Sequence, residues 1–268
     1  MTPRTRFATT LALTAGLAAA IAADARAQVA CGDTIGKGQT VTLTADVGPC
    51  DDNSNDALIV VDSGVLDLGG RTVTCDDANT DGELPLGIVL TGKKAQVRNG
   101  TVVGCRSNVF FGGSGKHRLE NVTARAAVRY GFYISDNSPK NQLIANVADA
   151  NGDDGFQIQS DKNKIEGNTS QNGEDDGFDV TDASKNKFTG NTATGNSNSG
   201  IEATGSKNKI VANTSTGNGS YGIGVGAKKN KVIGNTATGN GISDIFGTEP
   251  CGQNKFKDNI FGTGASCV

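Results

Sequence analysis

Asn146, Asn168, Asn191, Asn213, Asn235 and Asn259 follow one another at steps of 22, 23, 22, 22 and 24 residues. Five residues ahead of each runs a second series, Asn141, Asn163, Asn186, Asn208, Asn230 and Asn254, every member beside a lysine. A third series is glycine followed by an apolar residue: Gly131-Phe132, Gly155-Phe156, Gly177-Phe178, Gly200-Ile201 and Gly222-Ile223. Three series in one register mean one structural unit copied many times, and a period in this range belongs to solenoids and arrays.

A 22-residue unit is too short for two helices with their turns, and it lacks a 3.6-residue apolar rhythm. It carries short alternating runs instead, such as Phe156-Gln157-Ile158-Gln159 and Phe178-Asp179-Val180-Thr181. Such alternation describes a strand with one buried face. A second short apolar element lies between the two asparagines, as in Lys164-Ile165-Glu166. Gly, Asn, Asp and Ser fill the remaining positions, where corners need positive φ or side-chain bonds to backbone. The pattern predicts an all-β, single-stranded right-handed parallel β-helix (a solenoid) of about 22-residue coils, with three short strands per coil. Phe132, Phe156 and Phe178, continued by Ile201 and Ile223, are expected to form an inward column. Inward asparagines can bond to their neighbours above and below. Eight to nine coils at about 4.8 Å each would make a rod on the order of 40 Å long. Val65–Val73 and Gln96–Val103 read as less regular copies, residues 76–85 as a surface excursion, and 31–57 and 247–268 as end caps.

Arg4 and Arg6 precede an apolar run from Phe7 to Ala23, and Ala25-Arg26-Ala27 has the form of a cleavage site. Residues 1–27 read as a secretory signal peptide and 28–268 as a single β-helix domain. Cleavage would remove three of the 25 basic and one of the 28 acidic residues, leaving a net charge of −5. That balance argues against nucleic acid as a partner, and no second apolar stretch is long enough to span a bilayer. The oligomeric state has no signature in the sequence. Six cysteines lie in the expected mature part, where export makes disulfides the default. Six cysteines allow 15 pairings. Local context favours Cys31–Cys50 and Cys251–Cys267, while Cys75 and Cys105, at equivalent places in two copies, either bond or pack.

Cys31-Gly32-Asp33-Thr34-Ile35, Leu66–Val73, Arg98–Val102 and the repeated coils up to residue 259 together resemble the pectin-lyase-like right-handed β-helix proteins, in particular secreted bacterial ones with NosD-type repeats. That group includes pectate lyases, polygalacturonases, mannuronan epimerases, phage tailspikes, adhesins and NosD-type accessory proteins. The resemblance therefore implies an architecture more than a reaction. Individual family motifs are incomplete. Tyr130-Gly131-Phe132 matches the start of the epimerase motif, but Tyr133-Ile134-Ser135 stands where Asp-Pro-His is expected. His117 is the single histidine, so neither a polygalacturonase set nor a copper site has its usual ligands. Lying between Lys116 and Arg118, His117 is expected to be exposed and inert.

The chemistry-bearing positions gather at the corner before each Gly-apolar strand. Down the stack they are Arg129 and Tyr130, Asp153 and Asp154, Asp175 and Asp176, then Ser220 and Tyr221. The first outward strand position adds Tyr133, Gln157, Asp179 and Glu202. Asp154 and Asp176 are the expected acid pair, because crowding raises one carboxyl pKa and leaves the other ionised. Asp153 and Asp175 are the expected ligands of Ca²⁺, with Arg129 as the base of a β-elimination. Tyr130, Tyr133, Tyr221, Asp179 and Glu202 are the expected substrate contacts. The plain reading of the same aspartates is that corner Asp bonds to backbone. With the resemblance, these residues imply a secreted or periplasmic protein that binds an acidic polysaccharide. Lyase or hydrolase cleavage is the enzymatic form of that expectation, and a non-enzymatic interaction module the alternative. The Lys-Asn-Lys columns read as solubilising residues able to attract an acidic polysaccharide. Thr-x-Thr repeats on three coils read as an array able to order water.

Overall fold

The structure is a computed structural model that describes residues 28–51, 56–76, 85–248, 250–264 and 267–268. The expected signal peptide and residues 77–84 of the expected excursion lie outside the described residues. Every strand pairing is parallel. Ten strands stack on the first face, from Asp33–Ile35 through Phe156–Ile158 to Ser243–Gly247. The second face runs from Thr40–Thr42 through Gln142–Ile144 to Lys255–Lys257. The third runs from Val47–Cys50 through Val147–Asp149 to Ile260–Phe261. Gln96–Val103 and Arg118–Arg125 pass through a corner and serve both of these faces. This is the parallel β-solenoid of about nine turns that the periodicity predicts. Nine steps between ten stacked strands give a rod about 43 Å long. Among the described residues there is no helix long and apolar enough to cross a membrane.

The inward column forms as expected. The Phe132 and Phe156 rings stack at 4.6 Å and the Phe156 and Phe178 rings at 4.5 Å, all fully buried, with Ile201 and Ile223 below. Each such ring stabilises the rod by about 2–3 kcal/mol through burial alone. Glycine precedes these residues because the corner is tight. An added Cβ at Gly155 or Gly200 would strike the hydroxyl of Ser170 or Ser215.

Each coil turns three corners, and each corner has a ladder. At Asn191, between the second and third faces, Oδ1 accepts the Asn168 N–H at 2.9 Å and the Asn168 Nδ2 at 3.1 Å. Its own Nδ2 donates to the Ile165 carbonyl and to Asn213 Oδ1, both at 2.9 Å. The Asn141 series repeats the pattern at the corner between the first and second faces, except that Asn186 Nδ2 has no partner among the described residues. A third ladder, at the corner leading back to the first face, is formed by Asn151, Asn196, Asn218 and Asn240. These amides satisfy buried corner backbone that no strand can reach. Asn168 and Asn213, each followed by Thr-Ser as in a glycosylation sequon, are among them and are bonded, buried ladder positions.

Two expectations need correction. His117 is fully buried, not exposed. It occupies the ladder position of the first corner: Nδ1 accepts the Ala95 N–H at 3.1 Å, and Nε2 lies 2.9 Å from the Gly112 carbonyl. Those bonds assign the proton to Nε2. Burial lowers its pKa, so the ring stays neutral in its role as an amide substitute. Flanking cations hid this, because the residue between two exposed ladder neighbours points inward. The expected caps are also coils. Residues 33–50 form the first coil and 255–261 part of the last, paired in register with their neighbours. Strands of two to four residues there are too short to show a period. Disulfides Cys31–Cys50, Cys75–Cys105 and Cys251–Cys267 join all six cysteines.

Candidate functional site

Parallel pairing in register converts the sequence repeat into columns. Phe132, Phe156, Phe178, Ile201 and Ile223 are Cα partners in turn, so the residues two before them stack as well. That column reads Tyr130, Asp154, Asp176, Ser199 and Tyr221. One position after the inward residue lies the outward column Phe110, Tyr133, Gln157, Asp179, Glu202, Gly224 and Phe246. The expected residues are therefore brought together along one edge of the first face.

The two aspartates of the expected acid pair have a structural bond each. Asp154 Oδ1 accepts the Asp176 N–H at 3.1 Å, and Asp176 Oδ1 accepts the Ser199 N–H at 2.7 Å. Asp154 Oδ2 also accepts from Gln157 Nε2 at 2.6 Å, and the same amide reaches Asp179 Oδ2 at 2.7 Å. Thr181 Oγ1 closes the network by donating to Asp179 Oδ2 at 2.5 Å. The second oxygen of Asp176 makes no hydrogen bond to a described residue. Burial, then the Asp179 charge, pushes Asp154 up to about 8. Burial, then the neighbouring carboxylates Asp154, Asp175 and Glu202, pushes Asp176 up to about 8 against its Ser199 bond. Burial also raises Glu202, whose Oε2 accepts from Ser199 Oγ at 3.1 Å. Near neutrality the wall of the strip thus holds protonated carboxyls able to donate as well as accept.

Arg129 lies at one end. Its guanidinium sits 4.5 Å over the Tyr130 ring, bonds the Tyr130 hydroxyl at 2.6 Å and pairs with Asp153 at 3.4 Å. In this arrangement Arg129 supplies positive charge and positions Tyr130. Asp153, Asp154 and Asp175 each present an oxygen within 4.8 Å of the others. Their surroundings fit Ca²⁺ poorly. Both Asp154 oxygens already accept N–H groups, and Arg129 already neutralises Asp153. A hard cation wants 6 to 8 oxygens, which this cluster does not offer.

Two residues of this edge were not singled out from the sequence. Phe110 packs on Tyr133 at 5.3 Å, and Tyr133 on Tyr130 at 5.1 Å. At the other end Tyr221 and Phe246 stack at 4.6 Å. All five rings are half-buried. The signal for Phe110 was available: in Phe110-Phe111 alternation lets only one ring face inward, and Phe111 is the buried one. Elsewhere, Thr192, Thr214 and Thr236 align on the third face, as do Thr194, Thr216 and Thr238.

The profile of the family described as "Right handed beta helix region" matches residues 86–237 and 155–268. No curated protein sequence matches the chain. Among solved structures, a variant of the periplasmic alginate epimerase AlgG is similar at 15% identity and a TM-score of 0.56, covering 82% of this chain and 67% of that one. The A-module of the Azotobacter vinelandii mannuronan C-5 epimerase AlgE6 is similar at 18% identity and 0.55, covering 89% and 68%. The Dettilon tailspike protein gp208 is similar at 13% identity and 0.63, covering 90% of this chain and 58% of that one. At such identities the likeness is one of fold.

Proposed function

The chain belongs to the right-handed β-helix family, and from that premise we propose that it binds a polysaccharide lengthwise along the outer edge of its first face. One observation carries this reading: half-buried aromatic rings stand at both ends of a strip of carboxyl groups. Tyr130, Tyr133 and Phe110 form one platform, and Tyr221 and Phe246 the other. Tyr133 and Phe246 stand five coils apart, about 24 Å at the strand spacing. A sugar ring offers an apolar face to an aromatic ring and a rim of hydroxyls to polar groups. Between the platforms Gln157, Asp179, Asp176 and Glu202 can accept from and donate to such hydroxyls. Structural neighbours named for alginate and mannuronan support a carbohydrate partner through the shared fold. Three disulfides fit a secreted or periplasmic location.

Affinity electrophoresis in gels containing alginate, pectate, glycosaminoglycan or neutral glucan tests the proposal. Retention of the protein in at least one gel at salt high enough to screen simple charge attraction, lost in Tyr221→Ala and Phe246→Ala, is the expected result. Migration unchanged in every gel would overturn it. A hydrolytic reading has one specific observation behind it: the raised pKa of Asp176, which leaves one of its oxygens protonated and unbonded near neutral pH. It predicts new reducing ends that disappear in Asp176→Asn. Unsaturated products, with or without Ca²⁺, would point to elimination instead. Retention without any product would identify a binding module.

A further inference from the structure

Of the three ladder corners, one is built unlike the others, and the difference is chemical. In all three, the residue just before the ladder position takes a positive φ near 60° in coil after coil. At the second corner this residue is Ala145, Gly167, Gly190, Ala212, Gly234 and Asp258. At the third it is Ala126, Ala150, Asn172, Gly195, Gly217 and Gly239. Those are small residues, or ones that tolerate this conformation. At the first corner it is lysine in seven successive coils, from Lys94 and Lys116 to Lys207 and Lys229, with φ between 61° and 66°. The backbone does not ask for lysine there, since two corners of equal geometry do without it. Solubility does not ask for a single edge.

A second row runs beside the first. Lys164, Lys187, Lys209, Lys231 and Lys255 are Cα partners in turn on the second face and are all exposed. Among the described residues no lysine of either row forms an ion pair; the single lysine ion pair is Lys257 with Asp258. Where the rows reach the N-terminal coils, Lys94, Lys116, Lys140 and Arg118 line an open groove of about 460 Å³ with Gln96 and Gln142. The neighbouring charges Lys93 and Lys140 lower the Lys116 pKa, as expected of cations that lack a counter-charge. A chain of net charge −3 thus concentrates unpaired positive charge along one edge.

We propose that this lysine edge is a binding rail for a linear anionic polysaccharide carrying one carboxylate or sulfate per sugar. Charge complementarity and period both support it. The rail offers one cation per coil, about 4.8 Å apart and about 29 Å from Lys94 to Lys229, a spacing close to the advance of one sugar along an extended glycan. Along the axis of a DNA duplex each strand carries one charge per about 3.4 Å, a period out of step with the rail. The three disulfides fit an oxidising, extracytoplasmic setting for such a partner. The rail and the aromatic edge of the first face involve different residues, so this assignment stands without the first-face reading.

Because asparagine suits positive φ, the charge can be removed without disturbing the coil. The quadruple variant Lys140→Asn, Lys162→Asn, Lys185→Asn and Lys207→Asn, checked by circular dichroism and thermal unfolding, is compared with wild type on polyuronate and heparin columns over a salt gradient. The expected result is salt-dependent retention by wild type that weakens about tenfold or more, with a shallower salt slope, in the variant. Tyr221→Ala should leave this retention in place, which separates the rail from the first-face site. No retention of wild type, retention unchanged in the quadruple variant, or tighter binding to duplex DNA than to polyuronate would overturn the proposal.

Discussion

The coils from Phe132 to Gly247 and those from Asp33 to Arg125 share one cross-section but are held by different chemistry. In the C-terminal coils, corners are closed by stacked amides and the core by stacked rings. In the N-terminal coil that contains Gln96–Val103, the three ladder positions are Ala95, Gly100 and Cys105. In this coil and the one before it Leu58, Leu66, Leu68, Ile88 and Leu90 fill the interior, and Cys105 bonds to Cys75 across the two. A ladder draws on side chains from many successive coils; a disulfide needs only two. The difference teaches that the β-helix cross-section fixes where an inward group must be, but not which bond it makes.

Breaking a ladder should cost most. Asn191→Ala removes an acceptor for two donors of Asn168 and a donor to Ile165, leaving buried groups unpaired. A loss of about 3–5 kcal/mol in urea unfolding is expected. A loss under about 1 kcal/mol would show that the coils do not depend on the file. Removing the N-terminal staple in Cys75→Ala with Cys105→Ala should cost about 2–4 kcal/mol. Reductant, which opens all three disulfides, should cost wild type at least as much and leave the cost of Asn191→Ala unchanged.

Much of this contrast was written in the chain. Asn146 to Asn259 and Phe132 to Phe178 announce their period because one residue type repeats without a gap. The third ladder stayed hidden because Gly173 interrupts it and because Asn196 and Asn218, inside Gly-Asn turns, look like ordinary loop residues. His117 is masked by its flanking charges, Lys116 and Arg118, although its register is that of a ladder position. The candidate edge of the first face followed from register alone, which is why Asp154, Asp176, Asp179 and Glu202 were found together. Their bonds were not legible. Whether Asp154 faces a groove or caps the Asp176 N–H depends on a corner angle of the backbone, and the structure places one oxygen of each on the backbone.

The two regions should also differ in their response to pH. Asp176 has a folded pKa of about 8 against an ordinary 3.8. Below pH 4 the proton is bound in both states and the folded form carries no penalty. As the pH climbs towards 8 the unfolded chain releases that proton and gains stability over the folded one, so folding weakens until the folded carboxyl also ionises. Asp176→Asn keeps an acceptor for the Ser199 N–H and cannot ionise. It should stabilise the protein at pH 9 by about 1–3 kcal/mol and leave it unchanged at pH 3. Equal effects at both pH values would mean that the carboxyl is not held protonated.

The smallest expected effect tests the corners against each other. Lys162 and Gly167 occupy the same left-handed conformation, at φ 65° and 64°, before the ladder residues Asn163 and Asn168. A side chain there crowds its own carbonyl, which asparagine offsets by local bonding and lysine does not. Glycine relieves the crowding but adds freedom to the unfolded chain, so asparagine is the cleaner replacement. Lys162→Asn should therefore raise stability by about 0.5–1 kcal/mol, and Gly167→Lys should lower it by a similar amount. A thermal unfolding series on both variants decides the matter. If Lys162→Asn destabilises while Gly167→Lys is neutral, the lysines support the coil and the two corners are not equivalent. If the signs are as stated, the lysines are kept at a cost to the fold, and their reason lies in what the edge binds.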